Sequence, residues 1–539
     1  MRLLWNGEWI EVPAPVAVPG ATLLKIKATV PIERVRVPSG RVIRAPYRKA
    51  ARFAVLDGPS STVRKVRSKR EDARLQGDYR IVAALASATD ETEERLALCP
   101  RVAPCAELMV CPEDLVFAAP GASTEALQRF AEALRPQAGM LAELCTQSFL
   151  YSGQAPPAAL RELAATAAKA ATTAAGASRS GGGPVLHPLA PEGSFATTLQ
   201  LGDRGPRDGV SVAVLGAGDY ARTQIIPALT RARLRPYAIA DREPQIAGEV
   251  GRASGFVVAT TDARAAIESL PGPGLVVVAT AHDSHAALAA AALDAGHRVF
   301  AEKPAVITRE DLKLLAAAAA RTPGRLDLGF NRRHHPLTRR LRTAVAGEQG
   351  PLTITCLVRE ISISPNHWYF WPNQGTRVAG NLCHWLDLGI SLLDPATVAS
   401  EVTVTPAAPN PGHGSNDAER VLAVTFDDGS LLTIVATDRG DDLQGVQETI
   451  DVRRGLVTAR IDDFRSITVL RNGRSRTVRR LWRDKGHEAM FESCFRRAAA
   501  DQAAVYPAGD LDRVATVQIA ATELIDTGGI KRVLEGDAD

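Results

Sequence analysis

The spacing of apolar and polar positions changes character along this chain. From about Gly7 to Pro120 the apolar runs are short and broken by Pro and Gly, as in Thr22–Val30 and Ala106–Val110, which predicts a mostly β unit. Between Ser123 and Ala175 the sequence is alanine-rich and predicts helix, and Gly176–Gly183, with further Pro and Gly up to Gly209, breaks it. Val210–Leu215 is then a continuous apolar run, as a buried parallel strand requires. A helix is expected to open near Tyr220, strands to follow at Tyr237–Ala240, Leu275–Ala279 and Arg298–Ala301, and another helix at Ala286–Ala295. That alternation predicts an α/β, doubly wound parallel sheet of Rossmann type.

From about Leu326 the texture becomes that of a second α/β unit with a largely antiparallel, open sheet. Its strands are expected at Leu352–Val358, Val421–Phe426, Leu431–Ala436 and Ile467–Leu470, with Asp428-Gly429 and Asn472-Gly473 as hairpin turns. Helices are expected at Arg339–Ala346, His384–Leu393 and His487–Ala500.

Length adds that 539 residues make two to four compact units, at roughly 100–200 residues each. A net charge of only +4 argues against nucleic acid as the main partner. Met1–Val12 lacks the apolar core of a signal peptide, and no stretch reaches the roughly 18 apolar residues of a spanning helix, so a cytoplasmic chain without a membrane partner is expected. The seven cysteines are scattered without Cys-x-x-Cys spacing, which fits reduced thiols and no metal site.

The chemistry concentrates in the parallel unit. Gly216-Ala217-Gly218-Asp219-Tyr220-Ala221 is a G-x-G-x-x-A turn between a buried strand and a helix. The first glycine makes the turn, the second admits a pyrophosphate, and Ala221 lets helix and strand pack closely. Asp241 ends the next strand, 25 residues after Gly216, where a carboxylate holds the ribose hydroxyls. Asp241 favours NAD over NADP because it repels a 2′-phosphate, whereas the adjacent Arg242 suits that phosphate or stacks on adenine. Glu302 and Lys303 stand at the end of a later strand, where an ammonium reaches the nicotinamide crevice and hydrogen-bonds a substrate oxygen.

With Gly216-Ala217-Gly218, Ala301-Glu302-Lys303-Pro304, Gly329-Phe330-Asn331-Arg332-Arg333 and Cys383-His384-Trp385-Leu386-Asp387, the sequence resembles the Gfo/Idh/MocA family of nicotinamide-dependent oxidoreductases, from about Val210 to Gly528. Asp283-Ser284-His285, His367-Trp368 and Asp484-Lys485-Gly486-His487 resemble a two-part subgroup carrying an N-terminal alcohol-dehydrogenase-like piece. The front portion, with Ile10–Pro15, Ala106-Glu107-Leu108 and Pro112-Glu113, is similar to a GroES-like β domain without its zinc ligands. The expected organisation is a degenerate GroES-like domain over 1–122, a helical segment and linker over 123–208, a Rossmann domain over 209–328, and a C-terminal substrate and oligomerisation domain over 329–539.

The resemblance implies a hydride transfer between NAD or NADP and a ring carbon of a sugar, nucleotide sugar or cyclitol, in a homo-oligomer. Lys303, His384 and Asp387 would carry the proton chemistry, while Thr280, His282 and His285 join the cofactor residues. The family usually has an Asp four residues before that His, where this chain has Gly380 followed by Asn381. Arg332, Arg333, His367, Trp368, Arg377, Asn381, Lys485 and His487 are the substrate-side candidates, the arginines for an anionic group and the aromatic run Trp368–Trp371 for a sugar face. Two other readings stay open: tightly held NAD used for transient oxidation that drives elimination or epimerisation, and a dinucleotide-sensing protein that has lost catalysis.

Overall fold

A computed structural model describes residues 1–5, 8–16, 21–34, 80–88, 93–102, 105–106, 108–138, 140–141, 156–173, 185–186, 196–203, 209–361, 363, 369, 373–405, 419–440, 445–525 and 528–533. The front portion forms two small antiparallel sheets. One has the order β2-β1-β6, from β1 (Arg2–Trp5), β2 (Glu8–Glu11) and β6 (Cys105–Ala106). The other has the order β7-β3-β4-β5-β8, from β3 (Ala21–Arg34), β4 (Arg80–Ala88), β5 (Arg95–Val102), β7 (Leu108–Pro112) and β8 (Val116–Ala118). Helix α1 (Thr124–Leu134) opens on the hydroxyl of Ser123 and buries Leu127, Phe130 and Leu134 against these strands, and α2 (Ala158–Thr173) adds Leu160 and Ala164 to the same core.

The second layer is a seven-stranded sheet in the order β15-β14-β13-β10-β11-β12-β9. Its parallel strands are β10 (Ser211–Leu215), β11 (Arg235–Ala240), β12 (Val258–Thr260), β13 (Leu275–Val278), β14 (Arg298–Ala301) and β15 (Leu326–Leu328). An antiparallel edge, β9 (Thr198–Gln200), comes from the stretch expected to be linker. Strand order reverses beside β10, so the carboxyl ends of β10, β11, β13 and β14 frame a crevice. The front portion touches this layer at its β12 end, where Ala14 N–H donates to Ala196 O and the Thr261 hydroxyl donates to Ala14 O.

The third layer is a nine-stranded, mixed sheet in the order β23-β22-β21-β20-β16-β19-β18-β17-β24. It comprises β16 (Thr353–Arg359), β17 (Ala399–Val404), β18 (Arg420–Phe426), β19 (Leu431–Thr437), β20 (Gln447–Arg454), β21 (Val457–Asp462), β22 (Ser466–Arg471), β23 (Arg474–Arg479) and β24 (Gly529–Arg532). Only the β16–β19 pairing is parallel among these described strands. Asn472 and Gly473 both take positive φ, 50° and 73°, between β22 and β23, as a two-residue hairpin demands. One face is covered by helices that include α9 (Cys383–Ile390) and α11 (Ala508–Glu523). Helix α10 (His487–Ala499) instead turns back to the parallel sheet, placing Met490, Phe491, Cys494 and Phe495 in one core with Val212, Val214, Ala221 and Phe300.

Candidate active site

The glycine turn is shaped for a pyrophosphate. Gly216 sits at φ +91°, and a Cβ there would lie 2.3 Å from the Ala279 carbonyl oxygen, so glycine is obligatory. Gly218 has no atom within 4 Å of the place its Cβ would occupy, which leaves the backbone open to a ligand. Ala221 is buried at the start of the helical turn that follows. Asp241 braces the turn from β11, its carboxylate accepting from the Ala217 N–H at 2.8 Å and the Glu243 N–H at 2.9 Å. Asp219 and Arg242 are exposed on the crevice rim. These features fit a dinucleotide, which Gly216, Gly218 and Asp241 would hold.

Beyond β14, Glu302 is buried with its Oε1 unpartnered among described residues. Gly329 makes room for it, since a Cβ there would meet the carboxylate at 2.8 Å. Burial pushes the Glu302 carboxyl up to about 7, against the pull of Lys303 and a hydrogen bond from Tyr220. Tyr220 in turn packs edge-on to His487, with ring centroids 6.0 Å apart.

Lys303 is half-buried, and its ammonium donates to the Gly380 carbonyl at 2.7 Å. Burial works to lower its pKa, but Tyr369, Cys383 and Glu302 around it outweigh that and hold it above the ordinary lysine value. Lys303 is therefore cationic at neutral pH. Gly380 lies in the helical turn Val378–Leu382, and His384 follows in the first turn of α9. Burial, then the charges of Arg332 and Lys303, keep the His384 imidazole well below its usual value, and its Nδ1 has no partner among described residues. The Gly380 carbonyl thus ties the cationic Lys303 to the turn that leads into α9, whose neutral His384 feels the ammonium's charge.

Several residues expected here have other work. The Asp387 carboxylate is fully buried and bound by Arg333 at 2.5 and 2.9 Å and by the Tyr506 hydroxyl at 3.1 Å, so it is engaged as a structural ion-pair partner. Arg333 also pairs with Asp510 at 3.0 Å and stacks over Tyr506, which removes it from anion binding. Arg332 is buried, forms a two-pronged pair with Glu448 at 2.6 and 3.2 Å and lies over the Trp385 ring at 4.2 Å. Arg377 and Asn381 are both bound to the buried Glu360. Lys485 is held between Glu448 and Asp463.

The histidines of the β13 loop are likewise occupied. His282 Nδ1 meets the Gln374 carbonyl at 2.7 Å, and His285 bridges the carbonyls of Pro304 and Thr280, so His285 braces the loop that carries Lys303. Thr280 bonds Ser284 at 2.7 Å. His367 and Trp368 lie outside the described residues. His487 remains beside the site, and burial with the nearby Arg332 holds its imidazole down at about 4.

Glu448 was not expected in this role. It accepts from Arg332, Lys485 and the Trp385 indole, and those cations outweigh its burial and hold its carboxyl down at about 2. The signal available was its place in β20, where it alternates with inward Ile450 and Val452.

Residues 210–330 match the model of the GFO_IDH_MocA oxidoreductase family, an NAD-binding Rossmann fold. Inositol 2-dehydrogenase of Rhizobium meliloti (strain 1021) is 33% identical over 150 residues, which is 27% of this chain and 44% of that protein. Inositol 2-dehydrogenase 3 of Saccharopolyspora erythraea is 31% identical over 170 residues, 30% of this chain and 46% of that protein. The chain thus spans about half the length of these curated relatives. Among solved structures, an oxidoreductase domain protein from Kribbella flavida superposes with a TM-score of 0.53 at 20% identity, covering 61% of this chain and all of that one. Levoglucosan dehydrogenase, solved with NADH and levoglucosan, gives 0.52 at 20% identity over 61% of this chain and 100% of its own. These two share the fold. Over residues 210–330 the chain is therefore similar to the NAD-binding Rossmann fold of the GFO_IDH_MocA oxidoreductase family.

Proposed function

We propose that this protein is an NAD-dependent dehydrogenase acting on the CH–OH group of a cyclitol or sugar ring. The observation that supports the reading is the bond of the cationic Lys303, at the carboxyl edge of the parallel sheet, to the Gly380 carbonyl of the turn that leads into the neutral, buried His384. Bound nicotinamide supplies the hydride acceptor or donor. In the oxidising direction the neutral His384 takes the hydroxyl proton, while the Lys303 ammonium donates a hydrogen bond to the same oxygen. In the reducing direction Lys303 polarises the ketone, and the proton returns to the oxygen from this pair. Inositol and levoglucosan, the compounds in the relatives' names, are the first substrates to try.

The front portion, with its two antiparallel sheets, is a degenerate GroES-like scaffold over 1–122, followed by a helical segment and linker over 123–208 that also lends β9 to the parallel sheet, the Rossmann domain over 209–328 and the substrate domain over 329–539. The open face of the nine-stranded sheet, where Leu357 and Leu431 are exposed, is its homo-oligomer surface, and the protein works in the cytoplasm. No helix of the described residues is long and apolar enough to cross a membrane.

The test is a fluorescence titration with NADH and NADPH, followed by turnover of myo-inositol and levoglucosan. Saturable binding with NADH preferred, and a fall in turnover on the order of 10²–10⁴-fold in Lys303→Met at unchanged NADH affinity, are expected. Folded protein that binds neither dinucleotide would overturn the assignment.

A further inference from the structure

We infer that Tyr369 is the positioning residue for Lys303, its phenol packed against Gly380 and sharing that residue's carbonyl with the ammonium. This rests on the oxidoreductase reading above and extends it to a residue outside the matched motifs. A Cβ built on Gly380 would meet Tyr369 Cζ at 3.4 Å, Tyr369 Cε2 at 3.5 Å and His282 Cε1 at 3.3 Å, so the ring lies against the bare glycine at contact distance. The Tyr369 hydroxyl donates to the Gly380 carbonyl at 3.3 Å, the same oxygen that accepts from Lys303 at 2.7 Å. Two donors therefore converge on one carbonyl, and the phenol oxygen is left to accept from the ammonium.

The ring is fixed from behind by the His282 imidazole, with centroids 5.4 Å apart, and His282 is itself anchored to Gln374 through its backbone N–H and its Nδ1. A residue in this position sets both the direction of the ammonium and its readiness to give up a proton. Substitution of glycine at 380 and presence of a tyrosine at 369 are thus two parts of one arrangement.

The experiment is trace labelling of the full-length protein with acetic anhydride from pH 7 to 11, the acetylated fraction at Lys303 being read by peptide mass spectrometry against exposed Lys313. Tyr369→Phe keeps the ring on His282 and removes only the hydroxyl. Its acetylated fraction at Lys303 relative to Lys313 should rise about tenfold at each pH below the titration midpoint, with Lys313 unmoved. Tyr369→Ala combined with Gly380→Asp should bring that fraction back down, because the ring no longer lies against position 380. An acetylated fraction at Lys303 unchanged in both variants overturns the assignment. Dinucleotide binding by the wild type is measured alongside, and since labelling needs no substrate, failure of the oxidoreductase reading shows there and not in the Lys303 profile.

Discussion

Replacing Asp387 with Asn separates a structural carboxylate from a catalytic one. The wild-type group is completely buried, shares two hydrogen bonds with Arg333 and accepts a third from Tyr506. Asparagine keeps the shape but removes the charge, turns an amide N–H₂ toward the guanidinium and leaves Arg333 with Asp510 alone. Breaking one side of a buried, hydrogen-bonded pair costs about 3–5 kcal/mol. At about 2–4 °C per kcal/mol for a unit of this size, the melting temperature should fall by roughly 10 °C. Differential scanning fluorimetry reads the shift, and NADH affinity measured below the transition should stay within about twofold. The double variant Arg333→Met, Asp387→Leu should lose less than the two single changes summed, because Asp510 retains Arg513 at 2.9 Å. A melting temperature unchanged in Asp387→Asn would refute the ion-pair argument and return Asp387 to the chemistry.

Gly216→Ala should weaken NADH binding by about ten- to a hundredfold in a fluorescence titration, since the methyl group collides with the Ala279 carbonyl at a left-handed φ; wild-type affinity would contradict the geometry. The imidazole of His487 is held down at about 4 against an unfolded value near 6.5, so its stabilising contribution is complete above pH 6.5 and is lost as pH falls toward 4. His487→Gln should therefore show a smaller acid loss of stability than the wild type over that window, by about 3 kcal/mol in urea midpoints taken at pH 7 and pH 4. Parallel curves for the two proteins would refute this.

The parallel sheet was legible because its strands are buried on both faces and read as unbroken apolar runs: β10 is Ser211–Leu215 where Val210–Leu215 was expected, and β14 matches Arg298–Ala301. Strand β20 was not, because its inward row includes the charged Glu448, whose burial is offset only by cations far away in sequence. Edge strand β9 escaped for a different reason, being three residues long in a Gly and Pro context. At the site, Lys303 and the glycine turn follow from local motif geometry. The employment of Arg333, Arg377 and Asp387 does not, since pairing partners at Asp510, Glu360 and Tyr506 are joined only by the tertiary fold. His384 and Asp387 stand three residues apart in α9, and the burial of Asp387 in an ion pair with Arg333 gives them separate fates.

The return of helix α10 to the parallel sheet has a consequence for biosynthesis. The layer around Val212, Ala221 and Phe300 is completed by Met490, Phe491 and Phe495, so the nucleotide-binding half is not contiguous along the chain. A ribosome making this protein must translate far past residue 330 before that apolar surface has its cover. Until then the nascent Rossmann strands present an open face, which is where a holding chaperone would be drawn and where synthesis pauses would favour aggregation.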